Sequence, residues 1–195
     1  MAHALTWETT VDSDRFWKMI DEARSGASDL EEMRCLLTAN LTALQPEQIV
    51  RWLNIFRAYQ DLSYKNKLWA AACVMNGGCS DDGFDYFRGW LTAQGKDVFM
   101  AALADPDSLA SLDIEMDEAE DEEMLYVGIA AYCASTSTKE PDYDVLDTQC
   151  ALYALSDSDI AELAQGIPYA ADIDATWEEN NVEAQVPRLA ARFFT

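Results

Sequence analysis

The chain has 195 residues, the length of one ordinary domain, and half of them are apolar, including 6 Trp, 7 Phe and 8 Tyr; that is enough to build a core and excludes wholesale disorder. Its formal net charge is −23 and unevenly spread: residues 105–185 carry 22 acids against a single base, Lys139, whereas residues 1–104 hold 14 acids and 10 bases. A surface of that sign repels phosphate backbones, which argues against direct nucleic-acid binding, and it speeds encounter with a basic protein or cations.

Helix signals are dense in the first two thirds. Ser13 is placed to cap a helix running to about Ser25, with Phe16, Trp17, Ile20 and Ala23 on one face and Gly26 as the stop. Ser28-Asp-Leu-Glu31 has the form of a capping box, and the helix behind it carries Leu30, Met33, Leu37, Leu41 and Leu44. Pro46 fits a first-turn position, and Ile49, Trp52, Leu53, Phe56 and Tyr59 repeat at three and four, an amphipathic stripe. Residues 64–75 are nearly uniform in apolarity after Lys67 and predict a helix buried on most sides.

Asn76-Gly77-Gly78 ends that helix, because glycine enters the left-handed region at little cost. The next helix starts near Ser80 to Asp82 and runs to Gln94, with Phe84, Phe87, Trp90 and Leu91 inward and Gly95 as the stop. A short helix from Lys96 to Leu103, a turn at Asp105-Pro-Asp-Ser108, an acidic loop over 113–123 and an apolar helix from Met124 to Ala134 follow, the last with Leu125, Ile129 and Tyr132 facing the core. Beyond Ser135 the signals weaken: loop and one short helix over 136–156, a helix from Ser158 or Asp159 to Gly166, an irregular stretch over 167–181, and a closing helix from Arg188 to Phe194 behind Pro187. The expected architecture is all-α, a single compact domain over 1–195 with about seven to nine helices, an irregular C-terminal third and a frayed segment at 1–10.

No run of about 18 apolar residues is present, so no spanning helix and no membrane partner are expected, and Met1 to Thr10 has neither a basic segment nor an apolar stretch; the expected address is the cytoplasm. The five cysteines are odd in number and irregular in spacing, with no CxxC pair, which argues against a disulfide scaffold; Cys73 and Cys133 read as small core residues. The single histidine, His3, falls in the frayed segment. Ser–His and Cys–His catalysis both need a placed imidazole, and Cys/His zinc sites need clustered soft ligands, so no cofactor and no metal are assigned.

One segment stands out: Asn76-Gly-Gly-Cys-Ser-Asp-Asp-Gly-Phe-Asp-Tyr-Phe-Arg-Gly-Trp-Leu91 packs glycines, two adjacent acids, a cysteine and four aromatics between two helices. With LWAAACVM before it and AQG…ALADPDSLA after it, this stretch resembles the hallmark of the bacterial domain-of-unknown-function family forty-two-forty. The resemblance runs from about Val11 to the closing PRLAARFF. It implies a free-standing bacterial domain with no assigned chemistry. A similar domain accompanies a WGR module in some proteins known as molybdate-metabolism regulators; no such module is present here, and a regulatory role is an analogy only.

If the chain is an enzyme, the candidates are Asp81 or Asp82 as acid or base, Arg88 as a carboxylate clamp, and Cys79 as a thiol lowered in pKa by a helix N-terminus; the structural role open to Arg88 is a pair with an Asp of another helix. Against these stand plainer roles. Acids in a first turn offset the helix dipole and push the thiol back up, no histidine is available as a base, and Trp69, Phe84, Tyr86, Phe87 and Trp90 read as core rather than as a ligand cage. A divalent cation held by Asp81, Asp82 and Asp85 with acids of the 113–123 run lacks the calcium-loop spacing. The favoured expectation is an interaction protein, an adaptor, inhibitor or immunity-type partner of a basic surface. The alternative is an enzyme or small-molecule binder with a cleft at the 76–91 corner.

Overall fold

The periodic segments form helices, some behind a side-chain N-cap, such as Asp12, Asp29 and Ser80, and others without one. The computed structural model describes residues 11–178 and 181–194, so the segment read as frayed, 1–10 with His3, lies outside the described residues. The fold is all-α. Eleven α-helices are described: α1 (Ser13–Gly26), α2 (Leu30–Thr42), α3 (Pro46–Leu62), α4 (Asn66–Met75), α5 (Asp81–Ala93), α6 (Lys96–Ala104), α7 (Val127–Ser135), α8 (Tyr143–Leu152), α9 (Asp157–Gln165), α10 (Val182–Gln185) and α11 (Pro187–Phe193). The short α10 lies just beyond the stretch read as irregular, and no strand occurs among the described residues. None of the described helices is long and apolar enough to cross a membrane.

The chain divides into two compact units, each discontinuous in sequence. The first comprises the residues up to Tyr59 together with Tyr126–Glu162. Here α1 packs on α2 and α2 on α7. The cap of α1 is Asp12, one residue before the expected Ser13; its carboxylate accepts the Arg15 amide at 2.9 Å. The box before α2 is likewise shifted by one. Asp29 caps the Glu32 amide at 2.8 Å while the Glu32 carboxylate, not that of Glu31, accepts from the amide and hydroxyl of Ser28. Those bonds hold the Glu32 carboxyl below its ordinary pKa.

The apolar faces come out as their spacing requires. Phe16, Trp17, Ile20 and Ala23 of α1 and Ile49, Trp52, Leu53, Phe56 and Tyr59 of α3 are all buried. The Phe16 ring meets Trp17 edge-on at 5.0 Å and stacks on Tyr59 at 5.3 Å. The inward face of α7 differs from the expected one: Val127, Gly128, Ala131 and Cys133 are buried, whereas Leu125, Ile129 and Tyr132 are half-buried. A 3-10 turn over Glu123–Tyr126 precedes the helix and resets its phase. Gly128 also stands so close to its neighbours that a Cβ there would lie 3.2 Å from Leu53 Cδ1 and 3.3 Å from the Trp52 ring. The weakly signalled region past Ser135 is ordered by side chains of α3. Leu146 and Cys150 of α8 pack on Val50 and Leu53, and the Asn54 amide donates to the Cys150 and Tyr153 carbonyls at 3.0 and 2.9 Å. Arg51 pairs with Asp159 at 3.2 Å.

The second unit comprises Gln60–Leu125 and the residues from Leu163 on. Its centre is α4, whose Leu68, Ala70, Ala71, Ala72, Val74 and Met75 are buried, so this helix is covered on most sides as its composition requires. Polar ties bring the C-terminal residues to it. The Lys67 amide donates to the Ile173 carbonyl at 2.8 Å, and Lys65 and Lys67 pair at 2.9 Å with Asp174 and Asp172 respectively. Elsewhere in this unit, buried Asp107 accepts the Arg188 and Leu189 amides at 2.9 and 2.8 Å and Arg188 Nε at 3.1 Å. It thereby caps α11, whose own N-cap position, Val186, has no side-chain acceptor. Arg188 also bonds Asp105, and Arg192 donates to the carbonyls of Ala110, Leu112 and Ile114.

Candidate functional site

Between α4 and α5 the chain reverses at the paired glycines. Gly77 has φ +68° and Gly78 φ +141°. The Gly78 amide donates to the Cys73 carbonyl at 2.9 Å, the six-to-one bond that closes a helix end in this geometry. Ser80 then caps α5, its hydroxyl accepting the Gly83 amide at 3.1 Å. Asp81 and Asp82 follow in the first turn, where their charge opposes the helix dipole favourably. Both are exposed, and the Asp81 carboxylate accepts the Tyr64 hydroxyl at 3.3 Å.

Arg88 is 4 % exposed. Its Nε donates to the Phe84 carbonyl at 3.2 Å, Nη1 to the Gln60 carbonyl and Nη2 to the Asp85 carboxylate, and its guanidinium lies 4.8 Å from the ring centroids of both Tyr64 and Phe84. The expected partner from another helix is therefore replaced by an acid of its own helix, three residues back, because a buried fork is satisfied most directly by the nearest carboxylate and nearby carbonyls. Burial pulls the Arg88 pKa down and the Asp85 charge offsets it.

Cys79 sits against Cys73. Its thiol pKa is pushed up, first by the hydrogen bond with the Cys73 thiol, then by burial and the Glu120 charge, so the helix N-terminus does not make it a thiolate. Cys73 is half-buried beside it rather than a core residue, whereas Cys133 is buried as expected. Among the described residues no group of three or more His, Cys, Asp or Glu side chains is assembled to hold a metal ion. Of the five aromatics, Phe84, Phe87 and Trp90 are buried; Trp69 stacks on Phe84 at 5.0 Å and, like Tyr86, is half-buried.

The hallmark's clearest role is one that its spacing did not reveal: it holds the acidic loop. The buried Asn76 amide donates to the Ala119 carbonyl at 3.2 Å and its Oδ1 accepts the Ala119 amide at 3.1 Å, so one side chain pairs with backbone as a strand would. The Asp117 amide donates to the Met75 carbonyl and the Asp121 amide to the Tyr86 carbonyl, both at 3.0 Å. Gly89 makes the approach possible, since a Cβ there would stand 2.7 Å from the Asp121 carbonyl oxygen. Ala119 and Asp121 are buried within a run read as a loop. The signal available in the sequence was an amide residue directly before two glycines, which leaves the turn to the glycines and the amide free.

The corner also borders a cleft of about 670 Å³, lined by Asn66, Trp69 and Cys73 of α4, by Gly77, Gly78 and Cys79, and by Thr176, Trp177, Val182 and Phe194. That volume lies in the range of small-ligand pockets. Cys79 is the one sequence candidate among the described lining residues; Asp81, Asp82 and Arg88 are not part of the wall.

These features define an all-α protein whose most distinctive segment is a glycine corner that pins an acidic loop and borders a cleft. The chain belongs to the family described as Protein of unknown function (DUF4240), which matches residues 11–134. The match opens at Val11, contains the whole 76–91 segment with the acidic loop, and ends in α7, short of the closing PRLAARFF. No curated protein and no solved structure matches the chain.

Proposed function

We propose that the chain is a protein-binding module whose α8–α9 surface takes a basic, amphipathic partner. One observation carries the reading: residues 140–166 hold seven acids and no Lys, Arg or His, and they expose large apolar side chains among them. Tyr143, Val145, Leu152 and Ile160 are exposed, Leu152 to 68 %. Val145 and Leu152 are seven residues apart on α8, two helical turns, and so share a stripe with Thr148, while Leu146 and Cys150 face inward. Apolar knobs set in a segment with seven acids and no base of its own complement a helix that carries lysines or arginines around leucines.

The catalytic alternative draws less support. An Arg88 clamp would first have to leave three internal acceptors, and Cys79 would have to ionise against neighbours that favour the thiol.

A fluorescent helical peptide of leucine and lysine, about four turns long, serves as the probe, titrated by anisotropy at several salt concentrations. Binding weakens as salt rises, and Leu152→Ser with Val145→Ser weakens it by about tenfold or more, since burying two such side chains contributes about 1–3 kcal/mol. Glu115→Gln with Glu118→Gln, in the acidic loop, leaves affinity within about twofold. Equal affinity for the Leu152/Val145 variant and the parent sinks the reading, because charge alone would then account for the binding.

A further inference from the structure

The cleft beside the glycine corner has a recognisable chemistry, independent of the α8–α9 surface. Two indoles and a phenyl ring line it: Trp69, Trp177 and Phe194. Both indole N–H groups are already spent. Trp69 Nε1 donates to the Cys79 carbonyl at 3.1 Å and Trp177 Nε1 to the Asn66 carbonyl at 2.6 Å. The indoles are half-buried and Phe194 is exposed, so they offer ring surface rather than donors, one face of Trp69 being stacked on Phe84. Among the described lining residues none is charged.

The lysines on either side of Asn66 are drawn off by acids, Lys65 to Asp174 and Lys67 to Asp172. An anionic ligand therefore finds no counter-charge on this wall. A carboxylate does stand close: Glu120 acts electrostatically on the Cys79 thiol and lies 3.6 Å from where a Gly83 Cβ would be. The Glu120 pKa is raised by burial and by the charge of Asp117. The Cys79 thiol, kept protonated, adds a polarizable neutral surface.

Aromatic faces, spent donors, an uncharged wall and a nearby carboxylate are the elements of a cation–π site. We infer that this cleft binds a small organic cation, an alkylated ammonium compound, against the ring surfaces of Trp69 and Trp177.

The probe is choline, compared with its uncharged carbon isostere 3,3-dimethyl-1-butanol, followed through the indole N–H resonances of the full chain labelled at tryptophan. Choline shifts the Trp69 and Trp177 signals saturably, and the isostere binds at least about tenfold more weakly. Trp177→Ala abolishes the Trp69 shift. Trp177→Phe, which keeps a ring face but loses the N–H, retains it with affinity reduced by less than about tenfold. The inference is overturned if choline chloride and sodium chloride move the signals alike, if the isostere binds as tightly as choline, or if Trp177→Phe loses binding as completely as Trp177→Ala. A Trp177→Ala chain whose remaining indole spectrum matches the parent shows that the loss is local.

Discussion

Both units combine packed apolar faces with polar side chains that reach far along the chain, and they differ in what those side chains hold. In the first, the α1 and α3 stripes close over Phe16, Trp17, Trp52 and Tyr59, and α8 seats Leu146 and Cys150 on Val50 and Leu53, with Asn54 and Arg51 as polar ties beside this packing. In the second, single polar side chains tie together segments far apart in sequence. Asp107 caps a helix 81 residues away, Asn76 pairs with a backbone 43 residues on, and Arg192 collects carbonyls about 80 residues back. Apolar faces tolerate gradual change because their contribution is shared among many contacts. A polar tie is close to all-or-none, since losing one partner strands the other without solvent.

That contrast is testable by removing one tie at a time. The largest effect is expected from Asp107→Ala, which strands two α11 amides and removes one of the two acids that hold the Arg188 guanidinium. A loss of about 2–4 kcal/mol is expected in urea unfolding, with Asp107→Asn recovering part of it because an amide oxygen still accepts. A loss under about 0.5 kcal/mol would show that α11 needs no such cap and would erase the contrast.

A smaller effect belongs to the first unit. The Asp159 carboxyl is held below the ordinary Asp value of 3.8, first by the Ser156 amide and, after the cost of burial, by the Ser156 hydroxyl and Arg51. A depressed carboxyl stabilises above its unfolded pKa and loses that contribution as pH falls through its folded pKa. Asp159→Asn is therefore less stable than the parent at neutral pH, and the gap closes once the pH falls below the folded pKa. A gap that persists unchanged in strong acid would mean that packing, not ionisation, is lost.

The same division governs what the sequence discloses. The faces of α1, α3, α4 and α5 follow from spacing plus a cap or a glycine, all of it local information. The phase of α7 does not, because the 3-10 turn over Glu123–Tyr126 adds a rotation that periodicity cannot register. Nor does the Asp107 cap. Its only trace is negative: a helix opening at Pro187 behind Val186, with no local acceptor, requires one from elsewhere. At the corner, the glycines, the Ser80 region as a helix start and the inward aromatics are legible. The Asn76 pairing, the closeness required at Gly89 and the occupied state of Arg88 are not, since each depends on a segment brought in by folding. The cleft is half legible: its α4 wall is contiguous in sequence, while Thr176, Trp177, Val182 and Phe194 come from a stretch with weak signals.

The 76–91 segment fastens the acidic loop through Asn76, Tyr86 and the close approach at Gly89. Amide hydrogen exchange at Ala119 tests it most directly. Strong protection is predicted in the parent chain, falling by at least about tenfold in Asn76→Ala, because the amide loses its acceptor while its neighbours at Asp117 and Asp121 keep theirs. An Ala119 amide that exchanges as fast as a free loop in the parent, or one equally protected without Asn76, would contradict it.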